Sequence, residues 1–173
     1  MTGRPDLKVW DPVVRTIHWV LVASAIVAWT VTVGLVHEIA GYLVLVLMLF
    51  RLFWGFVGPG HARFKDFVRP GNEVWQYAKA LLTGREPRHL GHNPLGGWMI
   101  LALLGTGLAT AISGWLYTTD TFWGVEWVEN VHALCAYTML ALAALHVAGV
   151  LFTSIRQREN LIAAMFHGRK RSS

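Results

Sequence analysis

The chain has 173 residues, of which 54% are hydrophobic and only 14% are charged, and its mean hydropathy is +0.44. This composition is too apolar for an ordinary soluble domain and predicts a single integral membrane domain over residues 1–173. Basic residues that flank the membrane spans account for the net charge of +5, so we expect no nucleic-acid partner.

Four apolar runs reach the length of roughly 20 residues that is needed to cross the hydrocarbon core of a bilayer. We expect an all-α four-helix membrane bundle, with Asp11 and Pro12 favouring the start of its first helix. The predicted helices lie near residues 13–36, 37–58, 95–117 and 130–155, with a connecting loop over 59–94.

The connecting loop contains a further helical pattern over Asn72–Leu82. This helix either lies in the membrane interface or packs as a solvated helix on the protein's own surface, and the sequence supports the two equally. The third apolar run has no ionisable residue and is rich in glycine, so we expect it to serve packing rather than chemistry. The loop Thr118–Asn130 holds two tryptophans, which favours a position against the membrane surface.

All 15 lysines and arginines fall on one side of the membrane once four crossings are drawn. They lie in residues 1–15, at Arg51, in the connecting loop and after residue 155, whereas the opposite side carries acidic residues and no basic one. By the positive-inside rule, both termini are predicted to be cytoplasmic.

Four histidines lie within the apolar runs: His18, His37, His132 and His146. His132 and His146 share one predicted helix and face nearly the same way, about 21 Å apart along its axis. Antiparallel connections place His18 level with His146 on the cytoplasmic side, and His37 level with His132 on the outer side. Two pairs of imidazoles, each matched in depth, suit two haems that lie at two different depths in the membrane. Each haem iron would be held by two axial histidines.

Other residues are candidates for the surroundings of these haems. Gly41 follows His37 by four residues, which leaves room for a porphyrin on the same helix face. Arg15 and Arg51 are placed to bind haem propionates, since a guanidinium pairs well with a carboxylate, although both residues can also snorkel to the interface. The chain has no C-x-x-C-H motif, so any haem is held non-covalently.

The remaining histidines, His61, His89, His92 and His167, fall outside the apolar runs, where a solvent-exposed or capping role is the default. His61 and His92 flank the bilayer edge and are candidates for the border of a quinone site, where a proton acceptor is useful.

The chain resembles the bacterial cytochrome b561 and nickel-hydrogenase b-type cytochrome group of four-helix membrane proteins. The likeness rests on Arg15–Trp19, His37 with Gly41, Arg51–Gly55 and the pair His132 and His146. It implies two b haems, a multi-pass protein of the bacterial inner membrane, and electron transfer linked to quinone. Members of the group are subunits of hydrogenases or other respiratory complexes, partners of c-type cytochromes, or free-standing proteins.

We therefore expect a di-haem b-type cytochrome that carries electrons between a periplasmic redox partner and the quinone pool. The alternative is a stand-alone superoxide:quinone oxidoreductase, which the acidic outer side disfavours because it repels an anionic substrate. A histidine bundle that handles ions without haem is a third possibility, and it is disfavoured because the four runs contain no convincing buried acid.

Overall fold

The computed structural model describes residues 6–89 and 91–171. Among its elements, four helices are long and apolar enough to cross a membrane, and they confirm the predicted all-α membrane architecture. The elements in chain order are β1 (Asp6–Lys8), α1 (Pro12–Thr30), α2 (Leu35–Val57), a 3₁₀ turn (Gly60–Ala62), α3 (Phe64–Phe67), α4 (Gly71–Thr83), α5 (Pro94–Tyr117), α6 (Glu126–Gln157), α7 (Leu161–His167) and β2 (Arg169–Arg171).

Helix α1 ends at Thr30, well before the predicted residue 36. Residues 31–34 link it to α2, and Gly34 adopts a φ of +84°, a conformation that glycine takes without steric cost. The sequence did not show this break because Val31 and Val33 are as apolar as the helix that precedes them. As a result His37 lies in the first turn of α2 rather than at its first residue.

Helix α4 confirms the helical pattern that the connecting loop contained. Its Tyr77 is buried, while Trp75 and Leu82 are 63% and 87% exposed. One side of α4 therefore packs on the protein and another presents apolar side chains outward. Helix α6 begins at Glu126, so the loop predicted over Thr118–Asn130 is shorter than expected.

Contacts divide the chain into two compact units. The bundle unit comprises residues 16–53 and 101–144, and the end unit comprises residues 1–15, 54–100 and 145–173. Within the end unit, β1 and β2 pair antiparallel, a ribbon that the sequence analysis missed because three-residue strands show no pattern. Arg4, one of the basic residues assigned to the cytoplasmic side, lies outside the described residues.

The N-terminal segment and the tail hold each other within the end unit. The backbone N–H groups of Val9 and Trp10 both donate to the carbonyl oxygen of Gly168, at 2.9 and 3.1 Å. Val9, Trp10 and Ala164 form a small buried apolar cluster beside these bonds. Gly168 ends α7 with a φ of +82°, which a residue with a Cβ rarely adopts.

Candidate haem sites

His37 of α2 and His132 of α6 face each other in the bundle unit. Their ring centroids are 6.0 Å apart and their planes cross at 83°. An imidazole nitrogen binds a transition metal at about 2 Å, so two rings on opposite sides of one iron have centroids roughly 6 Å apart. The separation of these two rings fits axial ligation of a single iron, which is the pairing that the sequence predicted.

The ring of His37 is anchored by the end of α1. Its Nδ1 lies 2.9 Å from the carbonyl oxygen of Ala28 and 3.0 Å from that of Val31. The last four carbonyl groups of a helix have no partner within the helix, and because α1 stops at Thr30, the carbonyl of Ala28 is one of them. His37 therefore satisfies a helix end and is oriented by it.

The ring of His132 is anchored by α5. Its Nδ1 lies 2.9 Å from the carbonyl oxygen of Thr110 and 3.4 Å from the hydroxyl of Ser113. The Ser113 hydroxyl itself donates back to the carbonyl oxygen of Ala109, at 2.7 Å. Helix α5, which we expected to serve packing alone, thus positions a candidate ligand.

These anchors set the tautomer of both rings. A carbonyl oxygen only accepts hydrogen bonds, so Nδ1 of His37 and of His132 carries the proton and donates it. Nε2 then bears the lone pair, which is the atom that binds a metal in a neutral imidazole. A histidine ligand whose other nitrogen donates to a backbone carbonyl is the usual arrangement at protein metal sites.

Two glycines beside these rings have different surroundings. A Cβ added at Gly114 of α5 would lie 2.9 Å from Cε1 and 3.1 Å from Nδ1 of His132, so only glycine lets this ring approach α5. A Cβ added at Gly41, four residues after His37, would meet no other atom within 4 Å. A side chain at Gly41 would therefore meet no steric obstacle, and the place of Gly41 beside a haem stays a prediction from the sequence.

His18 belongs to the bundle unit and His146 to the end unit. His18 of α1 is half-buried, and its ring lies 5.1 Å from that of Trp19 at an angle of 76°. His146 of α6 is also half-buried, and a Cβ added three residues later at Gly149 would meet nothing within 4 Å. The pairing of His18 with His146 stays a prediction from the sequence.

The two arginines proposed for propionates differ in their environments. Arg51 of α2 is buried, with only 6% of its surface exposed. Arg15 donates from Nε to the carbonyl oxygen of Met165 at 3.2 Å, and from Nη2 to that of Phe166. Arg15 thus closes the end of α7. The assignment of either arginine to a haem propionate stays a prediction from the sequence.

Comparison with known proteins identifies the family. A family model described as prokaryotic cytochrome b561 matches residues 9–168. The chain belongs to the prokaryotic cytochrome b561 family. It is therefore a multi-pass bacterial membrane cytochrome that binds haem b and works in electron transport.

Curated relatives share one description. A probable Ni/Fe-hydrogenase B-type cytochrome subunit of Bradyrhizobium diazoefficiens is 26% identical to this cytochrome, with 97% of this chain and 87% of the relative covered. Proteins of the same description from Rhodobacter capsulatus and Azotobacter vinelandii are 24% and 26% identical, and the chain spans 61% and 65% of their lengths. No solved structure gave a significant match.

Several residues that position the candidate ligands of this cytochrome were missed from sequence. Thr110, Ser113 and Gly114 fix His132, and Ala28 fixes His37. Backbone acceptors leave no trace in residue type, so Ala28 and Thr110 could not be found. Gly114 is different, because its residue type is visible in the sequence. A glycine four residues after Thr110 leaves the carbonyl oxygen of Thr110 uncovered.

Three of the other histidines of the cytochrome lie together in the end unit. They line a cavity of about 310 Å³, which we call the polar cavity. Its lining residues are His61, Asp66, Arg69, Arg88, His89, Gly91 and His92. His167 instead accepts a hydrogen bond at Nδ1 from the backbone N–H of Arg169, at 3.1 Å, in keeping with the expected capping role.

Proposed function

We propose that this cytochrome holds two haem b groups, each between two histidines, and carries electrons between a periplasmic redox partner and the quinone pool of the bacterial inner membrane. The observation that carries the proposal is the pair His37 and His132, whose ring separation and Nδ1 anchors suit one bis-histidine iron. His18 and His146, matched in depth by sequence, are proposed as the second pair, on the cytoplasmic side.

Bound haem supplies a one-electron redox couple. His37 and His132 would hold one haem iron between them, each through Nε2. Their Nδ1 hydrogen bonds hold both rings in place, so the two Nε2 atoms would be oriented before a haem binds. Arg51 would balance a propionate carboxylate within the apolar helix that carries it.

The partner is proposed from the relatives and from charge. The relatives are described as Ni/Fe-hydrogenase subunits, which favours a hydrogenase or another respiratory complex as the partner. A periplasmic c-type cytochrome is the second candidate for this redox partner. Asp120, Glu126 and Glu129 lie at or near the connection between α5 and α6 and are exposed. This acidic surface suits a basic protein partner and disfavours superoxide as the electron donor.

The test is the haem content of the purified full chain and of its histidine variants. Pyridine haemochrome absorbance should count two haems per chain, and low-temperature electron paramagnetic resonance should resolve two low-spin signals. His37→Ala and His132→Ala should each remove the same signal, while His18→Ala and His146→Ala should remove the other. His167→Ala should keep both, because His167 caps a turn at the surface.

A colourless preparation would contradict the proposal, as would the loss of different signals in His37→Ala and His132→Ala. The quinone part is tested separately, by adding a quinol to the oxidised cytochrome in liposomes. We expect reduction of both haems, and an unreactive but fully loaded protein would leave the haem sites intact and remove quinone from the proposal.

A further inference from the structure

The polar cavity involves none of the four proposed iron ligands and has no part in the proposed electron transfer. Its side chains are imidazoles, guanidiniums and one carboxylate, with no apolar side chain among them. A quinone ring needs apolar walls with only a few polar groups, so the lining does not suit a quinone. No group of three histidine, cysteine or acidic side chains in the described ranges could hold a metal ion.

Arginine and lysine side chains lie in the polar cavity or next to it. Arg69 is exposed at its rim, and Arg88 donates from Nη2 to Oε2 of Glu159 at 3.0 Å. Lys170 is only 5% exposed and donates from Nζ to the carbonyl oxygen of Gly91, a lining residue, at 3.5 Å. Glu159 is buried and partly neutralises Arg88 and Lys170, which leaves Arg69 as the cation most available to a ligand.

His89 provides a buried ring nitrogen to which a ligand in this cavity could bind. Its Nε2 is buried and has no hydrogen-bond partner among the described residues. Burial, and then the charges of Arg69 and Lys170, lower the pKa of His89 below its usual 6.5. A buried, unpaired ring nitrogen that is surrounded by cations favours an anionic group with oxygen acceptors.

The position of the cavity along the chain points to the source of that anion. Its lining residues fall within the connection between α2 and α5: His61 comes four residues after α2 ends at Val57, and His92 comes two residues before α5 begins at Pro94. Both spans end at the bilayer edge, where phospholipid headgroups lie. We infer that the polar cavity binds a phosphate group through Arg69, Arg88 and His89, supplied by an anionic phospholipid or by free phosphate.

The test uses the haem-loaded full chain in nanodiscs of phosphatidylcholine, with or without phosphatidylglycerol. Arg69→Gln removes the exposed cation at the rim, so the fold is spared. The matched control is Lys79→Gln, an exposed cation of α4 that lies over the Trp75 ring and does not line the cavity. Gly91→Ala is a second variant without charge change, because its Cβ would lie 3.1 Å from Nδ1 of His61 and narrow the cavity.

Two readouts distinguish the sources of the phosphate. Native mass spectrometry should find phosphatidylglycerol retained by the wild type and by Lys79→Gln, and retained roughly tenfold less by Arg69→Gln and Gly91→Ala. If free phosphate is the ligand, adding inorganic phosphate to phosphatidylcholine discs should raise the pKa of His89, followed by nitrogen NMR, in the wild type and not in Arg69→Gln. Either result supports the site. Equal lipid retention in all variants together with an unmoved His89 would overturn it.

Discussion

Gly114→Ala tests whether α5 positions an iron ligand. The added Cβ would lie 2.9 Å from Cε1 of His132, about 0.6 Å inside the closest comfortable carbon contact of about 3.5 Å. The ring has little room to yield, because its Nδ1 is fixed to the carbonyl of Thr110 at 2.9 Å. A misplacement of about 0.5 Å is enough to spoil a ligand, and loss of a supporting contact typically weakens metal binding by about 10–100-fold.

We therefore expect Gly114→Ala to lose the haem signal that His132→Ala loses, or to shift its resonance and midpoint potential, while the other haem is unchanged. The matched control is Gly105→Ala on the same helix, where an added Cβ meets nothing within 4 Å. Any general effect of alanine on helix stability acts in both variants. Two unaltered haems in Gly114→Ala, or the same loss in Gly105→Ala, would refute the role assigned to α5.

Three further predictions concern the end unit. Arg15→Gln removes the bonds that close α7 and should lower the free energy of unfolding by about 1–2 kcal/mol, measured by thermal unfolding. Glu159→Gln leaves Arg88 and Lys170 without their shared counter-charge and should cost about 1–3 kcal/mol in the same assay. Folding lowers the pKa of His89 below 6.5, so the unfolded chain binds a proton at this residue more tightly than the folded chain does. The contribution of His89 to the free energy of unfolding should therefore be fully present above pH 6.5 and decrease as the pH drops below that value. His89→Gln should make this decrease smaller.

Arg85→Gln, which removes an exposed cation from the connecting loop, controls for the loss of a positive charge in Arg15→Gln. Equal melting temperatures for Arg15→Gln, Glu159→Gln and Arg85→Gln would contradict the roles of the bonds. An identical fall in apparent melting temperature between pH 7.5 and 5.5 in the wild type and His89→Gln would show that other groups govern the acid response.

The four spans were predictable from sequence because length and hydropathy alone decide whether a segment can cross a bilayer. Their ends were less predictable where polarity does not change. Helix α1 stops at Thr30 inside a predominantly apolar run, where Gly34 is the sequence feature that favours a turn. The ribbon of β1 and β2 depends on pairing between opposite ends of the chain, which no local pattern reports.

The candidate ligands were easier to predict than the groups that orient them. A histidine is conspicuous in an apolar run, so His37 and His132 could be paired by depth from spacing alone, and the structure brings them together. Their anchors are backbone carbonyls, and every residue has one. Which carbonyl is available depends on where a helix ends and on which neighbouring side chain is missing, and both depend on the three-dimensional structure.

His37 and His132 obtain a hydrogen-bond acceptor for Nδ1 in two different ways. Each needs a buried acceptor for Nδ1, and in a helix interior most carbonyl oxygens are shielded by the side chain four residues later. For His37 the acceptor is freed because α1 ends, so its last carbonyls face the next helix. For His132 the helix continues, and Gly114 uncovers the carbonyl of Thr110 instead. Neither route places a charged side chain in lipid, so both rings are fixed without the cost of burying an ion. This is why a span with no ionisable residue can help to build a redox site.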